Sequence, residues 1–131
     1  MKSSYRDLLV WQKAMDLVDE VYRATRRFPK EEMYGLTAQM RRSSASIAYN
    51  IAEGQGRYTY REFRHFLRAS RGSALEFETQ VEIARRQGFL REDSVASLND
   101  RASEVTRLLN GLIRYLDRKL LLRTANRELR T

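Results

Sequence analysis

Apolar residues recur at spacings of three and four along most of the chain, and turn residues break that rhythm at three places. The pattern predicts four helices. The first begins near Ser4, where Asp7 three residues on makes a capping box. It carries Trp11, Met15, Val18 and Tyr22 on one face, with Leu17 and Val21 flanking them. Phe28-Pro29 ends it. Pro29, followed by Glu31 and Glu32, suits the first turn of a second helix. That helix aligns Met33, Leu36, Met40, Ser44, Ile47 and Ile51, and Gly54 is expected as its left-handed stop. After the turn Gln55-Gly56-Arg57-Tyr58, Thr59 with Glu62 forms a capping box for a third helix bearing Phe63, Phe66, Ser70, Ala74, Phe77, Val81 and Ala84. Gly88 stops it, and Phe89 is placed to fold back on the core. The fourth helix is the most regular, with Val95, Leu98, Ala102, Val105, Leu109, Leu112 and Leu116 in line and Leu108 and Ile113 beside them.

The links near 28–30, 54–58 and 88–92 are short, so consecutive helices run antiparallel as neighbours. No hairpin dipeptide stands between alternating runs, and there is no β-branched stretch. The expectation is all-α: an antiparallel up-down-up-down four-helix bundle over residues 1–117, with a basic extension over 118–131. Helices of about 24 residues would be roughly 36 Å long. The flanking apolar residues leave two readings open, a wide core stripe or a second face buried between subunits.

At 131 residues the chain is long enough for one core without covalent staples. It has no cysteine, which excludes disulfides and thiolate chemistry. The N-terminus, interrupted by Asp7, Lys13 and Asp16, does not read as a secretory signal. Nothing approaches the roughly 20 apolar residues of a membrane span, so the chain reads as cytoplasmic. The formal net charge of +8 favours acidic partners.

Most of that charge is arginine. Arg57, Arg61, Arg64, Arg68 and Arg71 follow at intervals of four, three, four and three, on one face of the third helix and the turn before it. That face stands roughly 130° from the phenylalanine stripe, with few acids within a turn. A line of guanidinium groups on a rigid helix can track phosphates, and Tyr58 and Tyr60 beside it can stack on bases. A solvated face, or pairing with acids on a neighbouring helix or subunit, is the competing reading. From Arg118 to Thr131, Arg118, Lys119, Arg123, Arg127 and Arg130 face one acid, Glu128. This segment either extends the fourth helix or frays.

Catalytic groups are hard to assemble. His65 is the only histidine and sits among arginines, so neither a metal site nor a Ser-His-Asp set follows. Glu76 and Glu78, two apart on a helix, diverge. No cofactor is implied. The segment 43–54, SSASIAYNIAEG, is distinctive: its small residues permit close helix approach, and Ser43, Ser46 and Asn50 share a face. Arg42, Asn50 and Glu53 are read as a polar lock on the turn between helices 2 and 3, with a polar pocket as the alternative.

These same residues carry a resemblance. Leu8-Leu9-Val10-Trp11-Gln12-Lys13-Ala14, Phe28-Pro29, Tyr34-Gly35-Leu36, Gln39-Met40-Arg41-Arg42, Ser46-Ile47, Asn50-Ile51-Ala52-Glu53-Gly54 and Gly56-Arg57 resemble the 23S rRNA intervening-sequence family. Phe63, Phe66-Leu67, Gly72-Ser73, Glu76 and Glu78 continue it. The proline that members often have two residues before the Asn is Ala48 here. The resemblance implies an up-down-up-down bundle assembled as a homopentamer, without established enzymatic activity. More distantly, the chain is similar to the accessory variability protein of diversity-generating retroelements, a basic pentameric barrel. The functional expectation is a non-enzymatic, oligomeric RNA-binding module working through the arginine stripe. The alternative is a scaffold that docks a protein partner and has no nucleic-acid role.

Overall fold

The computed structural model describes residues 4–130; Thr131, the end of the expected extension, lies outside them. Four helices make up the domain: α1 (Leu9–Thr25), α2 (Leu36–Gln55), α3 (Tyr60–Arg86) and α4 (Glu92–Arg130). Each packs its backbone closely against two others, in the cycle α1–α2–α3–α4–α1, and all four contribute to one core. With the short links between them, this is an antiparallel four-helix bundle, and no strand occurs among the described residues.

The ends of the helices follow local chemistry. The box of Ser4 and Asp7 forms, with the Asp7 carboxylate accepting the Ser4 amide at 3.3 Å, but it caps a single 3-10 turn, Tyr5–Asp7. Leu8 is extended, so α1 starts at Leu9. After Pro29 there is again only a 3-10 turn, Lys30–Glu32. The second helix begins six residues later than expected, at Leu36, whose amide is capped by Glu32 Oε1 at 3.2 Å. Met33 therefore lies outside the helix and is exposed. Thr59 Oγ1 accepts the Glu62 amide at 3.1 Å and opens α3. Gly88 adopts a φ of 77° and ends it, while the Phe89 amide reaches back to the Ala84 carbonyl at 2.9 Å. The Phe89 ring then meets Phe28 at 5.5 Å.

The core corrects the expected face of α1. Val10, Ala14, Leu17 and Val21 are buried, whereas Trp11, Met15 and Val18 are half-buried and Tyr22 is exposed. Two apolar stripes overlap on this helix. The one with smaller residues turns inward, because the centre of a closely packed bundle has little room for indole and phenol rings. On α4 the same adjustment buries Ile113 and leaves Leu112 at the margin, and on α3 Leu67 is buried while Phe63 and Phe66 are half-covered.

Gly54 is not a left-handed stop. It is buried inside α2, which continues to Gln55. A Cβ placed there would stand 2.8 Å from Phe66 Cβ and 2.9 Å from Phe63 Cδ1, so α3 crosses directly over it. Gly54→Ala is therefore expected to cost about 1–3 kcal/mol through overpacking. Gly72→Ala, where a Cβ meets nothing within 4 Å, should instead raise stability by up to about 1 kcal/mol. Urea denaturation of the two variants checks the pair; equal effects of one sign would contradict this packing.

Candidate nucleic-acid interface

Four arginines of the stripe, Arg61, Arg64, Arg68 and Arg71, lie along α3, Arg57 lies in the turn before it, and the five do not share one environment. Arg57 is answered from α2, by Glu53 at 3.1 Å, and its guanidinium lies 4.8 Å from the centre of the Phe66 ring. Arg64 is half-buried and donates to Asp117 Oδ1 of α4 at 2.6 Å; Arg68 approaches the same oxygen at 3.8 Å. Arg71, also half-buried, donates to Asn110 Oδ1 at 2.9 Å. Arg61 is exposed and makes no side-chain hydrogen bond or ion pair among the described residues. The acids that were missing within a turn of α3 thus come from neighbouring helices. Asp117 is shared by two guanidinium groups, so its single charge cannot neutralise both.

The far end of α3 is different. There Glu82 accepts from both Arg85 and Arg86 at 2.8 Å, and these two partners hold its carboxyl down at about 2; Glu92 of α4 adds a second carboxylate, 3.9 Å from Arg85. Positive charge at that end is locally matched. At the beginning of α3 it is not, and the unmatched part lies beside the end of α4.

The fourth helix runs 39 residues, about 58 Å at the usual rise. It passes Tyr60, the first residue of α3, at Arg123, whose guanidinium stands 4.5 Å from the Tyr60 ring centre. From Leu121 onward every described residue is exposed. The extension is therefore a continuation of α4, carrying Arg118, Lys119, Arg123, Arg127 and Arg130 past the bundle's end.

Arg42, Asn50 and Glu53 do not converge. Arg42 is exposed and makes no side-chain hydrogen bond or ion pair among the described residues. Glu53 belongs to Arg57. Asn50 Nδ2 donates to the Ser46 carbonyl at 2.8 Å, and Ser46 Oγ meets Ser73 Oγ of α3 at 2.9 Å. The true lock lies deeper along the α2–α3 seam, and it is made largely of serine. Ser43 Oγ donates to Gln80 Oε1 at 2.6 Å, and Ser70 Oγ donates to the Ile47 carbonyl at 2.8 Å. All three side chains, Ser43, Ser70 and Gln80, are buried, and each needs such a partner there. The run of small residues signalled the close seam; the partners on α3 were not visible from the spacing on α2.

The displaced residues of α1 build a second feature that the pattern alone did not locate. Trp11, Met15, Val18 and Tyr22 face Ala48 and Tyr49 of α2 across a groove of about 660 Å³. Tyr49 is 69% exposed on its rim. Among the described residues no group of three or more His, Cys, Asp or Glu side chains is placed to hold a metal ion, and no helix is long and apolar enough to cross a membrane.

Fold and charge together define a small four-helix-bundle protein with a cationic edge. Residues 6–111 match the 23S rRNA-intervening sequence protein family, and the chain belongs to that family. Among solved structures it is similar to a protein of unknown function from the S23 ribosomal protein family of Bacteroides thetaiotaomicron. The two share 22% identity with a TM-score of 0.75, over 81% of this chain and 96% of the other. That likeness is one of fold. No curated protein matches the sequence. The family match ends before Arg118, so the basic end of α4 lies beyond it.

Proposed function

We propose that this chain is a non-catalytic, basic module that binds RNA along the α3–α4 edge and works as a homo-oligomer. The observation that carries the reading is the charge balance of that edge. Arg64 and Arg68 share a single carboxylate, Asp117, Arg61 beside them has none, and the cations of the α4 extension lie next to them. Guanidinium groups fixed on a rigid helix suit phosphate oxygens, and each contact releases counterions from the nucleic acid. Arg57 and Arg71 border the edge and are already hydrogen-bonded, so their role is secondary. The family's description names 23S rRNA, which supports RNA over DNA as the nucleic acid to test first. Reversing Arg61 and Arg68 together (Arg61→Glu with Arg68→Glu) should weaken RNA binding by roughly tenfold or more. It should also lower the slope of log affinity against log salt by about 2. Fluorescence anisotropy with a labelled RNA hairpin checks this, and an unchanged affinity and slope would refute it.

The oligomer has separate support. The groove between α1 and α2 leaves Trp11, Met15, Val18, Tyr22 and Tyr49 partly uncovered, with Asp19, Arg23 and Arg26 also lining it, a mixed face with aromatic anchors of the kind that subunits bury. The family resemblance points to a pentamer. Repetition around a ring multiplies weak phosphate contacts. This face also serves the alternative reading, in which it docks a different protein. Tyr49→Arg places a charge on its rim, and sedimentation should then show smaller species than the unaltered chain forms. A chain that is already monomeric, or a variant of unchanged size, would rule out this face as the subunit contact.

A further inference from the structure

The buried face of α4 does not stop where the bundle stops. Leu109, Ile113, Leu116, Leu120, Arg123 and Arg127 follow at four, three, four, three and four residues, which keeps them on one side of the helix. The first three are buried, Leu120 is half-buried, and then two arginines take the places that leucines would fill. They do not point into open solvent alone. With Thr59, Tyr60 and Arg61 at the start of α3, and Thr124, they line a cleft of about 230 Å³. Against roughly 30 Å³ for one water, this has room for a phosphate and part of its hydration.

No carboxylate lines that cleft. Arg61 and Arg127 make no side-chain hydrogen bond or ion pair among the described residues. The Arg123 guanidinium stands 4.5 Å from the centre of the Tyr60 ring and makes no side-chain hydrogen bond or ion pair among the described residues. The cleft also meets the beginning of the 27-residue α3, the positive end of its dipole. Three like charges and that helix end repel one another unless an anion joins them. Asp117 lines the adjoining hollow with Arg61 and Arg64, and is paired with Arg64 at 2.6 Å.

We infer that this cleft is a phosphate-binding site, with Arg61, Arg123 and Arg127 as its ligands and Thr59 and Thr124 as neighbouring hydroxyls. It joins a residue of the family's bundle to two residues beyond the family match. The phosphate can be that of an RNA backbone or a free phosphate. Only the first source rests on the RNA-binding reading. The shared hollow around Arg61 and Leu120 gives a bound strand a continuous route to Arg64.

The test uses the full chain, Arg123→Gln with Arg127→Gln, and Arg61→Gln. These side chains are outside the core, and circular dichroism melting confirms folding. Calorimetric titration with inorganic pyrophosphate should show one site per chain in the unaltered protein, weakened roughly tenfold or more in each variant. In parallel, the RNA salt slope of the double variant should fall by about 1.5. Pyrophosphate bound equally by all three proteins, or by none, overturns the site; RNA binding by the unaltered chain would then stand on the stripe alone. Pyrophosphate binding lost in the variants, with no RNA binding by any protein, upholds the site for free phosphate and removes the RNA reading.

Discussion

At Gly54 the backbones of α2 and α3 come together so closely that a methyl group would strike Phe66 and Phe63. Much of the molecule depends on that crossing. It fixes the start of α3 against the end of α2, and it lays Phe66 under the Arg57 guanidinium. Further along the same seam, small hydroxyl side chains bridge the helices where larger apolar ones would hold them apart. Ser70 to the Ile47 carbonyl, Ser43 to Gln80 and Ser46 to Ser73 each span the interface within hydrogen-bond reach. A hydrogen bond contributes little net energy when made and costs more when one partner is removed. The seam therefore sets register more than it adds stability.

A narrow bundle has consequences at its surface. The α1 residues that enter the core are Val10, Ala14, Leu17 and Val21, and the larger Trp11 and Tyr22 are displaced to the α1–α2 side. Charge divides along the other side. Glu82 and Glu92 together answer Arg85 and Arg86 at the end of α3, and Glu20 pairs with Arg101 while Lys13 pairs with Glu104 between α1 and α4. Between the beginning of α3 and the end of α4, Asp117 is shared by Arg64 and Arg68, while Arg61 makes no ion pair among the described residues. One side thus presents apolar surface suited to subunits, and the other presents positive charge suited to phosphates.

The helices and their antiparallel order were legible because the three-four periodicity and the Gly88 stop act locally. The core face of α1 was not. Two stripes compete on that helix, and the choice depends on the space left by three other helices rather than on hydrophobicity. Gly54 misled for a related reason: in sequence, a glycine needed for a left-handed turn looks the same as one needed for close approach. The arginine stripe was visible as a set, but its division into paired and unpaired members depends on Asp117 and Asn110, more than thirty residues away on α4. The α4 extension could have been followed further, since the rhythm of Leu116, Leu120, Arg123 and Arg127 is present in the sequence itself.

The central claim is that the cationic edge recognises RNA and does not merely attract any polyanion. The most direct measurement is binding of the full chain to a structured RNA, duplex DNA and heparin across a salt series, with molecular mass followed in the same buffers. The account predicts a steep salt slope for RNA, an affinity for RNA above that for heparin near 0.15 M salt, and an oligomer throughout. Equal affinity for all three polyanions, or binding that disappears with modest salt, would contradict it.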